Sequence, residues 1–123
     1  MKSLFFDNDL TKMLGIDFPI IMAPMFLVSN SKMLIEASLS GITGCVPALN
    51  YRTIPELRNA ILEVQKNSKG PMGINLIVNK FNTKMNKQLE VCVELGVDYI
   101  ITSLGNPKSI IEACKPKGIK VFC

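Results

Sequence analysis

The hydrophobic positions of this chain fall into short blocks. The apolar runs IIMA, TGCVPAL, MGINLIV, YIITSL and KVFC begin near Pro19, Thr43, Met72, Tyr99 and Lys120. Each is brief and several are rich in β-branched residues, which predicts buried strands. Their starts lie about 24, 29, 27 and 21 residues apart, the spacing of compact βα units.

Between these runs the apolar residues recur with helical spacing. Thr53-Ile54-Pro55-Glu56 fits a capping box, in which the Thr hydroxyl and the Glu carboxylate each accept a backbone N–H. Leu57, Ala60, Ile61 and Val64 then share one helix face. An earlier helix starts at Asn30 or Ser31 and ends near Gly41. A later one starts at Asn82 or Thr83, places Met85, Leu89 and Cys92 on one face, and ends at Gly96. The last has Asn106 as N-cap, Pro107 as first residue and its end near Gly118. Three junctions repeat one pattern, Gly41-Ile42-Thr43, Gly96-Val97-Asp98 and Gly118-Ile119-Lys120. In each, glycine supplies a left-handed C-cap and an apolar residue enters the next strand.

A strand–helix repeat implies parallel strands joined by right-handed crossovers. The pattern ends inside the strand-like VFC. Two α/β architectures satisfy it. One is a five-stranded doubly wound domain. The other is the N-terminal half of a (β/α)8 TIM-type barrel, with four βα units and a fifth strand, truncated within a fold that needs about 250 residues.

Composition narrows the function more than the fold. The 123 residues suit one domain, 1–123, and 48% of them are hydrophobic, enough for a core. The net charge of +4 comes from scattered lysines; Lys80, Lys84 and Lys87 mark a solvated helix start, with no basic stripe to suit a nucleic-acid partner. The four cysteines have no C-x-x-C spacing and there is no histidine, which argues against a metal site. The opening MKSLFFDNDLTKML lacks the apolar core of a signal peptide, and no run reaches the roughly 20 residues of a membrane span. The expectation is a cytoplasmic protein with free thiols, no membrane and a small-molecule substrate.

In either architecture ligands bind where the strands end. Those positions are Ala23-Pro24-Met25, Pro47-Ala48-Leu49-Asn50, Asn75 and Thr102-Ser103-Leu104-Gly105-Asn106. They hold amides, hydroxyls and a thioether, but no carboxylate, histidine or lysine. No acid–base pair and no phosphate-binding glycine motif is visible. Such a neutral rim suits a flat cofactor that brings its own reactivity.

Four segments together resemble a known family: PIIMAPM at 19–25, GITGCVPALN at 41–50, GINLIVN at 73–79 and DYIITSLGNP at 98–107. They are similar to the N-terminal half of the nitronate monooxygenases, formerly 2-nitropropane dioxygenases, and to the related flavin-dependent enoyl-ACP reductases. The resemblance runs from about Leu14 to Cys123. It implies a barrel that binds FMN, with the backbone of Ala23, Pro24 and Met25 against the ring. It further implies that the Asn75 side chain bonds the flavin and that Thr102 and Ser103 border the substrate. The catalytic residue and the phosphate loops are expected in the C-terminal half, outside this chain. Phe26-Leu27 stands where the family often has glycine, and TSLGNP is nearer the reductase-like pattern. A non-enzymatic five-stranded binding module is the rival reading; against it, Asp98 precedes a strand rather than following one.

Overall fold

A computed structural model describes residues 6–123; the opening MKSLF of the N-terminal reading lies outside the described residues. The elements are α1 (Asp9–Leu14), β1 (Ile21–Met22), α2 (Ser31–Leu39), β2 (Thr43–Pro47), α3 (Ile54–Asn67), β3 (Met72–Ile77), α4 (Met85–Leu95), β4 (Tyr99–Ser103), α5 (Lys108–Cys114) and β5 (Lys120–Phe122). Short 3-10 turns follow β2 at Ala48–Asn50 and α5 at Lys115–Lys117.

The strands form one sheet in the order β1-β2-β3-β4-β5, each pair parallel. This order decides between the two architectures. A doubly wound sheet reverses its strand order at a switch point. Here every strand lies beside its sequence neighbour, as in a curled half of a TIM-type barrel.

The two faces of the sheet bury different residues, because strand side chains alternate. Val46, Met72, Ile74, Leu76 and Ile100 face the helices, where they pack with Leu34, Leu57, Ile61 and Cys92. Cys45 and Tyr99 belong to a second cluster on the inner face, with Ile21, Ile101 and Phe122 beside them. α1, for which the strand–helix reading had no place, closes the lower end of this inner face with Leu14, and Ile16 just beyond the helix joins it. Its start is a capping box of Asn8 and Thr11, and it stops at Gly15 with φ of 67°.

Most predicted boundaries coincide with the observed ones. α3 has its capping box at Thr53 and Glu56. Gly41, Gly96 and Gly118 all have left-handed φ, of 80°, 68° and 69°. Three boundaries differ. β1 begins at Ile21 rather than Pro19: proline has no N–H to donate, and the Ile20 N–H is spent locally on Phe18 O at 2.7 Å. α4 begins at Met85, because the Asn82 side chain is spent on Ile77 O and on the Lys84 N–H, holding residues 79–84 in turns. α5 begins at Lys108; Asn106 accepts the Lys108 N–H across an Asx turn and Pro107 takes the cap position.

Candidate functional site

The ends of β1 to β4 carry the candidate residues to one rim of the sheet. Asn75 lies within β3, on the same face as Gly73 and Ile77, and only 7% of it is exposed. Its Nδ2 donates to Ile101 O at 3.0 Å and to Ser103 Oγ at 2.9 Å. A backbone carbonyl only accepts, so the Ile101 contact fixes which way the amide points. Oδ1 is therefore the free end, and no donor among the described residues reaches it. Every fully buried side-chain polar atom among those residues is paired, so Oδ1 is reached from the inner face. Asn75 presents one oriented acceptor there, held by β4.

Ser103 joins Asn75 on that face. Thr102 does not: it alternates to the helix side with Ile100, and its hydroxyl donates to Phe122 O at 3.3 Å. The sequence placed Thr102 and Ser103 together, yet the pleat of β4 sends them to opposite faces.

Ala23, Pro24 and Met25 follow β1. The Met25 N–H donates to Ser29 Oγ at 2.6 Å, and the Met25 carbonyl accepts from Val28 N–H, Ser29 N–H and Ser29 Oγ. The backbone polar groups of Met25 are thus spent within its own turn. What remains for a neighbour is the thioether and hydrocarbon, a polarizable apolar wall. Phe26, Leu27 and Val28 beside it are all exposed.

The rim after β4 shows why a glycine is needed there. A Cβ on Gly105 would lie 1.6 Å from Val78 O, so the two backbones touch. Leu104 before it takes a left-handed φ of 60°. Asn50, on the turn after β2, reaches across to the β1 loop: its Oδ1 accepts from Leu27 N–H at 2.8 Å and its Nδ2 donates to Ser29 O at 2.9 Å. The partners are 23 and 21 residues away, so nothing local in the sequence pairs them.

The lower layer of the inner face supports this rim. The buried Tyr99 hydroxyl donates to Gly44 O at 2.9 Å and stands 3.1 Å from Thr43 Oγ1. Burial pushes its ionisation well above the usual tyrosine range. The Cys45 thiol behind it is also pushed far up by burial, and that of Cys92 rises to about 12 for the same reason. Neither is a thiolate at neutral pH, so neither serves as a nucleophile. Asp98, at the opposite end of β4, has its carboxyl raised by burial and accepts the Met72 N–H at 2.9 Å. A crevice of about 220 Å³ beside Asp98 and a groove of about 470 Å³ between α4 and α5 both lie away from the rim. No helix among the described residues is long and apolar enough to cross a membrane.

The rim is a row of oriented neutral groups on a rigid sheet: one amide acceptor, one hydroxyl and an apolar wall. Groups of this kind suit the hydrogen-bonding edge and apolar face of a planar ligand.

No protein-family model matches the chain. A probable nitronate monooxygenase of Staphylococcus haemolyticus (strain JCSC1435) is 33% identical over 87 residues, which are 71% of this chain and 24% of that protein. FabK from Thermotoga maritima has a TM-score of 0.83 at 28% identity, covering 91% of this chain and 35% of that one. Nitroalkane oxidase from Streptomyces ansochromogenes has a TM-score of 0.78 at 16% identity, covering 93% of this chain and 41% of its own, and so shows the fold alone. The resemblance read from the sequence therefore holds. The chain is similar to nitronate monooxygenase and FabK and has the architecture of half a TIM-type barrel. It spans about a quarter of the length of the curated relative.

Proposed function

We propose that residues 1–123 form the N-terminal half of the barrel of an FMN-dependent oxidoreductase of the nitronate monooxygenase type. Its substrate would be a small nitronate or nitroalkane, with oxygen as electron acceptor. The observation that carries this is the Asn75 amide, anchored to β4 with its acceptor end free, in a chain 33% identical over 87 residues to a probable nitronate monooxygenase.

FMN would supply the redox chemistry, taking electrons from the substrate and passing them on. The chain's own part is placement. Asn75 Oδ1 would accept a ring N–H, Ala23 to Met25 would give the ring an apolar wall, and the Ser103 hydroxyl would lie on the substrate side. Thr102 acts on that side only through the strand, as its side chain faces the helices. The base that takes a substrate proton and the loops that hold the FMN phosphate would lie outside residues 1–123. The chain alone would then bind FMN weakly and show no turnover.

A second reading is a flavin-dependent enoyl-ACP reductase-like enzyme. It is favoured by the TSLGNP rim after β4 and by the match to FabK at 28% identity. The two separate in one experiment on the complete natural protein. Purified with bound flavin, it should consume oxygen with a nitronate and should not need NAD(P)H. NAD(P)H-dependent reduction of an enoyl thioester, without nitronate turnover, would select the second reading. A protein that retains no flavin and has neither activity would sink both.

Asn75→Ala should weaken FMN binding by about tenfold, the loss of one buried hydrogen bond of roughly 1–3 kcal/mol. Unchanged affinity would remove Asn75 from the site.

A further inference from the structure

The loop after β1 is held by Asn50, a rim residue that has no part in the contacts proposed for the ring. Asn50 belongs to the 3-10 turn that ends β2, and it spans two backbone groups of the neighbouring loop. Its acceptor takes the Leu27 N–H and its donor takes the Ser29 carbonyl, at 2.8 and 2.9 Å. Leu27 presents that N–H from a left-handed φ of 57°, a conformation in which a leucine is strained. Its side chain gains little in exchange, being 71% exposed. The clamp offsets the strain. Ser29, 97% of whose surface is covered (3% exposed), then closes the turn onto both polar groups of Met25.

We infer that Asn50 is a positioning residue for the ring pocket: through Leu27 and Ser29 it fixes where the Ala23–Met25 wall stands relative to Asn75. The inference rests on the FMN reading above. Asn50 touches the loop backbone, not the ring, and works by holding one loop conformation. Without it the left-handed Leu27 has no compensating bond, and the segment from Met25 to Ser29 relaxes. The wall then shifts while Asn75, anchored to β4, stays in place. A wall fixed by two directional bonds to the next strand's turn sets a defined pocket. An apolar loop with the exposed residues Phe26, Leu27 and Val28 would otherwise have many equivalent packings.

The test uses the complete natural protein, with FMN affinity measured by flavin fluorescence and the ring environment by the visible flavin absorption spectrum. Asn50→Ala should raise the FMN dissociation constant about tenfold and blur the resolved shoulders of the spectrum. Asn50→Asp, which keeps the Leu27 bond and loses the Ser29 one, should fall between. Ser31→Ala is the control: it removes a 2.8 Å bond from the start of α2 to Glu63 without touching the clamp, and should leave affinity and spectrum unchanged. Equal affinity and spectrum in Asn50→Ala and wild type, with wild type binding FMN, would overturn the positioning role and leave the FMN reading standing. A wild type that binds no FMN overturns both. Should Asn50→Ala fail to fold, amide hydrogen exchange on the wild type decides. Added FMN should slow exchange at Leu27, because ring and clamp favour the same loop conformation. Identical exchange with and without FMN would count against the role.

Discussion

Gly73→Ala is the substitution the inner face should tolerate least. A Cβ on Gly73 would lie 2.1 Å from Tyr99 Cε2, 2.4 Å from Cζ and 2.7 Å from Cδ2. Carbon atoms pack at about 3.5–4.0 Å, so the ring must retreat by about 1.4 Å or more. Tyr99 cannot retreat freely. It is fully buried, its hydroxyl is bonded to Gly44 O, and its ring meets Phe122 edge-on with centroids 5.7 Å apart. Overpacking of this kind costs roughly 1–3 kcal/mol, and breaking the buried hydroxyl contact adds roughly 1–3 kcal/mol. The expected total of about 2–6 kcal/mol is a large part of the roughly 5–15 kcal/mol that holds a typical domain. Urea unfolding followed by circular dichroism should show a lower midpoint at unchanged slope. Gly44→Ala offers the contrast. Its Cβ would meet Met22 Cε at 2.8 Å, and the end of a methionine can swing aside, so the loss there should be smaller. Tyr99→Leu in the Gly73→Ala background should recover part of the loss, since the pair is coupled through one contact. A Gly73→Ala protein within about 0.5 kcal/mol of wild type would refute the reasoning, for it would mean that the ring is not pinned.

Other consequences follow from single contacts. Thr53→Ala removes the side-chain acceptor at the start of α3 and should lower stability by about 1 kcal/mol in the same unfolding assay; an unchanged midpoint would show that the cap is not used in solution. Asp98 has its folded-state pKa raised by burial. Its contribution is therefore most favourable below the unfolded carboxyl pKa and declines as pH rises through the folded one. Asp98→Asn keeps an acceptor for the Met72 N–H and should flatten that decline above the ordinary carboxyl range; an unaltered pH profile of the melting temperature would contradict it. Of the four cysteines, Cys45, Cys92 and Cys114 are buried and Cys123 is exposed. In the 123-residue chain a thiol reagent should label Cys123 quickly and the other three only on unfolding, as intact-mass measurement would show.

The sequence alone determined the five strands, the four helices between them and their order. Four of the five strands begin where the apolar runs begin, and three glycines adopt the left-handed caps expected of them. Both are local facts: strand burial and helix termination are written in residues adjacent along the chain. Asn75 was legible as well, as an amide interrupting an apolar strand, because a buried polar group needs a reason. α1 escaped because its start and its Gly15 stop enclose only six residues, too few to show a helical period.

Tertiary structure decided the rest. Spacing could not tell a doubly wound sheet from a barrel, since both are βα repeats; the strand order could, because it depends on which edge each new strand joins. Thr102 and Ser103 read as one polar pair until the pleat placed them on opposite faces. The free end of Asn75 became known only when Ile101 O fixed the other end. The PIIMAPM segment ends β1 and runs into the loop that carries Phe26-Leu27. Its turn is closed by Ser29 from within and by Asn50 from the next strand's rim, and the second of these is a contact between distant residues that no local pattern encodes.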